Sequence, residues 1–367
     1  MRSMAIMNTK MSKYLSRKIK FITVFAMTAV VFIHSYNFSD SFLSPDTRIA
    51  EGFNGAAMFE YFFSNSLLRF AVPMFFALSG FLFFFNYQNT LKGYLKKLKK
   101  RAYSLLLPYV IWVVLSGAFL TLLAQVPFFQ GLDIVKEKAF APTQFYYYFL
   151  SPASFPLWFV QQLMIFVILA PLIYVLVKYT RGIILVPLGA LWAIDFCYII
   201  NFSGLFALSV GAAFAIFAKS RKFTWHDNRM LTVVFSLIWI GISLAHTFIA
   251  ALGGKDTYIT VIMYALYKLN EVIGVIAMWL IFDHIAKRIT DKKGFIIAAT
   301  HLFFVYAMHE PLLHLCFQTA LKQGASIPAH IALFICLPIS VGAVCIGVSM
   351  AFRKNFRKAH KLFTGGR

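Results

Sequence analysis

Charge is what this chain lacks most. Of its 367 residues only 13% are Asp, Glu, Lys or Arg, and just 13 are acidic. A soluble domain carries about 25% charged residues, so a water-soluble globular fold is excluded. Disorder is excluded too, because disordered segments are polar and poor in aromatics; here 60% of residues are apolar and 42 are Phe. Cysteine is scarce. Cys197, Cys316, Cys336 and Cys345 lie in or beside apolar stretches and show neither C-x-x-C nor Cys/His ligand spacing, so no metal site is expected and they read as small buried hydrophobes. Internal repeats, Gly/Ser linkers, long polar segments and the two-residue alternation of a transmembrane barrel are missing as well.

What the chain has is long apolar runs. A helix needs about 20 mostly apolar residues to cross a bilayer, and ten stretches meet that need: 19–36, 68–90, 102–127, 157–177, 183–200, 202–218, 230–252, 258–285, 295–316 and 330–352. The expected fold is therefore all-α, a polytopic integral membrane protein of about ten transmembrane helices. No small-residue cleavage site follows the first run, which suits a retained helix better than a signal peptide. The expected organisation is a basic cytoplasmic N-terminus (1–18), one membrane domain (19–352) and a basic cytoplasmic tail (353–367).

The basic residues orient this arrangement. Lys and Arg number 35, giving a net charge of +22, which in a soluble protein would suggest nucleic acid. With both termini in the cytoplasm, 28 of them fall on inner segments. Only Arg48, Lys136, Lys138, Lys255 and Lys322 fall on outer ones, the longest of which are 37–67 and 128–156, and Arg69 and Lys268 lie within or beside spans. That asymmetry is the positive-inside pattern. The charge is a topology signal, nucleic acid is set aside as a partner, and the expected location is the cytoplasmic (inner) membrane.

An ionisable side chain inside a span costs about 3 kcal/mol on insertion scales, so each is a functional candidate. His34 ends the first helix, Arg69 opens the second at the same outer level, and His309 and Glu310 lie in the outer half of the ninth, just before Pro311. Trp158 and the pair Gln161-Gln162 start the fourth helix at that depth. Two imidazoles, a carboxylate and a guanidinium at one level read as a reaction site, since His exchanges protons near neutral pH and a carboxylate can orient it. Other intramembrane groups have structural readings. Lys268 and Glu271, three residues apart, can neutralise each other; Asp283 and His284 can snorkel to the inner interface; His301 lies in the inner half of helix nine, and Asp195 stays open. Pro73 and Pro311 are expected to kink their helices and free backbone groups to line a cavity.

At these residues the sequence resembles the acyltransferase-3 superfamily of membrane acyltransferases. The first helix ends in His34. The run Arg69-Phe70-Ala71-Val72-Pro73-Met74-Phe75-Phe76-Ala77-Leu78-Ser79-Gly80-Phe81 is similar to the family's R-x-x-VP-x-FF-x-x-SG-[YF]. Arg101 followed by Leu107-Pro108-Tyr109, then Leu157-Trp158-Phe159-Val160 and Tyr306-Ala307-Met308-His309-Glu310-Pro311-Leu312 resemble further segments in the family's order. Lys20 and Thr23 stand where the family often has Asp and Arg, and Ser104 where it has a second Arg.

The resemblance implies transfer of an acetyl or other short acyl group from cytoplasmic acyl-CoA, acetyl-CoA first, to a hydroxyl of a cell-surface or lipid-linked glycan. His34 would be the base or transient acyl carrier. Arg69 would stabilise developing charge, and His309 and Glu310 would orient His34 or relay its proton. Lys96, Lys97, Lys99, Lys100 and Arg101 would meet the donor's phosphates, unless they serve topology alone. Trp158, Gln161 and Tyr306 would meet substrate, and no metal is implied. The alternative is a secondary transporter of a small carboxylate or glycan precursor, although the paired repeats common in such proteins are absent from the sequence. Oligomeric state is left open.

Overall fold

The computed structural model describes residues 11–36, 55–138, 154–195, 200–217, 228–252, 257–321 and 326–366. Cys197, Arg48, Lys255, Lys322 and most of the basic segment 219–229 lie outside the described residues. Every regular element among those described is helical. Besides two short helices at Pro127–Gln130 and Asp133–Lys138, the helices are α1 (Lys13–Ile33), α2 (Gly55–Tyr61), α3 (Ala71–Phe84), α4 (Leu91–Arg101), α5 (Leu107–Leu123), α6 (Trp158–Ile168), α7 (Ala170–Tyr179), α8 (Leu185–Ala193), α9 (Phe202–Phe217), α10 (Arg229–Leu252), α11 (Thr257–Ile289), α12 (Lys293–Leu321), α13 (Ile327–Asn355) and α14 (Arg357–Phe363). A wide turn at Phe62–Ser66 and a tight one at Leu67–Phe70 join α2 to α3, and another wide turn, Ala102–Leu106, joins α4 to α5.

Among the described residues six helical segments are long and apolar enough to cross a membrane: Gly55–Phe84, Leu91–Leu123, Arg229–Leu252, Thr257–Ile285, Lys293–Ala320 and Pro328–Asn355. A seventh forms if α6 and α7, bent 64° apart, make one broken span. Three of the ten expected stretches fall short. Stretch 19–36 lies on α1, whose first turns carry Lys13, Arg17, Lys18 and Lys20. At 1.5 Å per residue α8 and α9 cover only about 14 and 24 Å, against a hydrocarbon thickness of about 30 Å. For α8 and α9, apolar composition measures solvent preference and not the length of unbroken helix; α1 is long enough, but the charges of its first turns leave too short an apolar stretch.

The closest packing is between α3 and α9. A Cβ on Gly80 would lie 2.1 Å from the Leu208 carbonyl oxygen, and one on Gly211 would lie 1.9 Å from that of Ala77. Two backbones thus touch through absent side chains, the means by which helices associate where lipid removes the hydrophobic drive. Aliphatic and aromatic side chains share the rest of the core, with Phe76 and Phe159 ring centroids 4.4 Å apart and Phe21 meeting Phe282 edge-on at 4.7 Å.

Asp283 does not reach out to the interface as the sequence suggests. It is buried between α1 and α11, where Lys18 Nζ lies 2.8 Å from its carboxylate, the Tyr14 hydroxyl donates to it, and the ammonium sits 3.9 Å from the Trp279 ring centre. Lys18 is only 1% exposed. Removing one partner strands the other charge, so Lys18→Met should cost about 3–5 kcal/mol, and adding Asp283→Leu should recover most of it. Thermal unfolding in detergent checks this; additive losses in the double variant would show that the pair is not coupled.

Candidate active site

One face of α1 sets the site. Thr23, Met27, Val30 and His34 recur at helical spacing and all line one cavity of about 410 Å³. From Thr23 to His34 is three turns, about 16 Å along the helix axis. The wall continues on α3 with Val72, Phe75 and Ser79, on α6 with Trp158 and Leu163, and on α12 with Thr300 and Tyr306. Arg101 and Leu105 line it too. The lining is mostly apolar, with hydroxyls at Thr23, Ser79 and Thr300 and imidazole and guanidinium groups at His34 and Arg101.

His34 caps α1 and is half-buried, its ring centre 5.5 Å from that of His309 and 5.8 Å from that of Phe155. His309 has no exposed surface. Its Nδ1 donates to the carbonyl oxygens of Val305 and Tyr306 at 3.0 and 2.9 Å, and Nε2 has no hydrogen-bond partner among the described residues. Two carbonyl acceptors keep the proton on Nδ1, which leaves the Nε2 lone pair as this imidazole's only basic site. Glu310 is also buried and carries the non-helical backbone (φ −101°, ψ 133°) that interrupts α12 before Pro311. Pro73, by contrast, sits in the first turn of α3, where its missing N–H is tolerated; the break lies upstream, in the turns at 62–70.

Those turns aim Arg69. Its Nη2 donates to Asn65 Oδ1 at 2.6 Å, and the guanidinium lies within electrostatic reach of His34, as do His309 and His314. Ser66 anchors the turn. Its hydroxyl pairs with His246 Nδ1 at 2.7 Å and its carbonyl accepts from Asn270, which in turn accepts from Ser243 at 2.9 Å. Arg69 itself does not line the cavity.

The structure thus brings His34, Trp158, Tyr306 and Arg101 to one cavity, with His309 packed beside His34. Tyr306 also donates its hydroxyl to the Pro156 carbonyl. Gln161 does not line the cavity, and its neighbour Gln162 accepts the Asn201 backbone N–H at 3.0 Å. Of the basic cluster only Arg101 reaches the lining. Lys97 donates to the Phe83 carbonyl and lies over the Phe83 and Tyr87 rings at 4.8 and 5.4 Å, while Lys96, Lys99 and Lys100 are exposed. Lys268 pairs with Asp195 at 2.9 Å and not with Glu271, which accepts the Trp192 indole N–H at 3.2 Å. The facing helix α8 and the turn that follows it supply these partners, and spacing within one helix cannot reveal them. The sequence reading missed Thr23 as a lining residue, although its position eleven residues before His34 places it on the same stripe. No group of three or more His, Cys, Asp or Glu side chains converges as metal ligands among the described residues.

The family model described as an acyltransferase domain matches residues 18–353. The chain is also similar to the succinoglycan biosynthesis protein ExoH of Rhizobium meliloti, 27% identical over 334 residues that cover 86% of this chain and 83% of that protein. No solved structure matches the chain.

Proposed function

This chain belongs to the acyltransferase-3 family, and from that membership we propose that it transfers an acetyl or other short acyl group from cytoplasmic acyl-CoA to a hydroxyl of a cell-surface or lipid-linked glycan. The observation that carries this reading is the cavity with Arg101 and His34 among its lining residues. Arg101 is a cation suited to an anionic donor. The apolar wall beside it suits the pantetheine arm, which would bring the thioester to His34. The similarity to a succinoglycan biosynthesis protein supports a polysaccharide acceptor.

In the proposed reaction His34 takes the proton of the acceptor hydroxyl as its oxygen attacks the thioester carbonyl. The new C–O bond forms, the C–S bond breaks, and the proton passes to the departing thiolate, giving an ester and free coenzyme A. His309, with its Nε2 lone pair, would support the imidazolium formed on His34 or relay its proton. Glu310, buried beside His309, would hold this pair in place. Arg69 would stabilise the negative charge that develops on the carbonyl oxygen. Trp158 and Tyr306 would hold the substrate against His34. The proposed topology keeps the sequence expectation of both termini in the cytoplasm and the Arg101 end of the cavity facing inward, in the inner membrane.

Proteoliposomes provide the test. Acyl-CoA consumption that depends on an added glycan acceptor is the expected result. Accumulation of an intact solute without thioester cleavage would overturn the enzyme reading in favour of a carrier.

A further inference from the structure

Residues 357–366 lie beyond the segment that the family model matches, and they fold back onto the bundle. In α14, His360 is 2% exposed and Thr364, just after it, 1%. His360 Nε2 pairs with Ser349 Oγ at 2.9 Å, and the same hydroxyl pairs with His301 Nδ1 at 2.7 Å. One serine thereby ties α12, α13 and α14 together. The His360 ring also stacks on Phe304, with centroids 5.9 Å apart and planes 4° from parallel. Burial holds the His360 imidazole below the ordinary histidine range, with the charges of His301 and Arg353 acting the same way, which suits a neutral hydrogen-bonded link.

The chain then turns through Gly365 and Gly366, at φ +64° and +80°, a left-handed conformation that glycine adopts without steric cost. Here the tail meets the wide turn 102–106. A Cβ on Gly365 would lie 2.5 Å from the Ser104 carbonyl oxygen, and Trp112 Nε1 donates to the Phe363 carbonyl at 3.0 Å. The residues it touches alternate with cavity residues. Ser104 stands between Arg101 and Leu105, and His301 and Phe304 stand among Thr300, Leu302 and Phe303, all of the latter lining the cavity. The tail therefore packs behind two of the walls at the Arg101 end.

We propose that this tail is a positioning element for the donor end of the cavity. His360 and Gly365 clamp the backs of α12 and the 102–106 turn and so hold Arg101, Leu105 and Thr300 in place. The inference rests on reading that end as the acyl-CoA site. It assigns a role to residues outside the family segment that touch no substrate.

The test measures the Kd of coenzyme A for purified full-length protein, the donor and acceptor KM, and kcat, with thermal unfolding as a folding control. Gly365→Val should push the Ser104 backbone aside and raise the donor Kd and KM about ten-fold, within the ~10²-fold that a 1 Å misplacement can cost, and leave kcat and acceptor KM within about two-fold. His360→Ala should act in the same direction, and His360→Gln, whose amide can still bond Ser349, should restore binding. This conservative pair decides the matter if Gly365→Val does not fold. Folded variants that bind coenzyme A like the wild type, or that lose kcat at unchanged donor KM, would overturn the positioning role alone. A wild-type protein that binds no coenzyme A would overturn both this inference and the function on which it rests.

Discussion

Cells carrying His34→Ala in place of the wild-type protein should lose surface-glycan acylation, with turnover falling about 10²–10⁴-fold, the usual contribution of a positioned general base. Of the two neighbouring imidazoles, His34 is the one that lines the cavity, while His309 is wholly buried with its Nδ1 proton held by the Val305 and Tyr306 carbonyls. Only His34 can therefore meet an incoming hydroxyl directly. Ending α1 in a half-buried histidine gives the truncated variant little packing to lose, so protein levels should stay normal. Mass spectrometry of the surface glycan, with immunoblotting of the membrane fraction, reads both quantities. Unchanged acylation at normal protein level would remove His34 from the reaction.

Gly211→Val and Gly80→Val should abolish folding, each by more than about 4 kcal/mol, well into the exceptional range for single substitutions. Overpacking a core costs less, about 1–3 kcal/mol, when neighbouring side chains can change rotamer. Here they cannot help, because the added carbon would lie 1.9 Å from the Ala77 carbonyl oxygen or 2.1 Å from that of Leu208, both fixed parts of a helix. The only relief is to push α3 and α9 apart, which would move Val72, Phe75 and Ser79 in the cavity wall. Gly241→Ala and Gly347→Ala are the controls, since nothing lies within 4 Å of a Cβ at either place. Size-exclusion profiles of detergent-solubilised protein report the outcome. A monodisperse Gly211→Val protein with wild-type yield would show that this helix contact does not govern the fold.

Much of the architecture is legible in the chain because hydrocarbon permits few solutions. Backbone groups there must be paired internally, so long apolar runs become helices; composition places six or seven of the spans, although two of them, Gly55–Phe84 and Leu91–Leu123, begin well before the expected 68 and 102. The motif around Arg69 to Phe81 was legible in the same way, and the structure supplies physical reasons for two of its residues. Ser79 lines the cavity, and Gly80 admits the backbone of α9. The readings that fared worse concerned partners. Lys268 and Glu271 share a face of α11, yet Asp195, just past the end of α8, and Trp192 from α8 take them instead, the ammonium lying near the Trp192, Tyr264 and Tyr267 rings. Asp283, expected at the interface, is held by Lys18 from the first helix, 265 residues away in sequence.

By itself, the sequence determined that this is a helical membrane protein of the acyltransferase-3 kind, and it singled out His34 and His309 as ionisable groups of a type rare inside apolar helices. Those conclusions depend on the solvent preference of each residue and on spacing along one helix, both of which are local properties. Only the tertiary structure decided that Arg101 and His34 share one cavity, that Lys97 is occupied by a backbone carbonyl, and that the tail braces the Arg101 end. These depend on which helix faces arrive opposite one another, and crossing helices bring together residues whose separation in the chain carries no periodic signal.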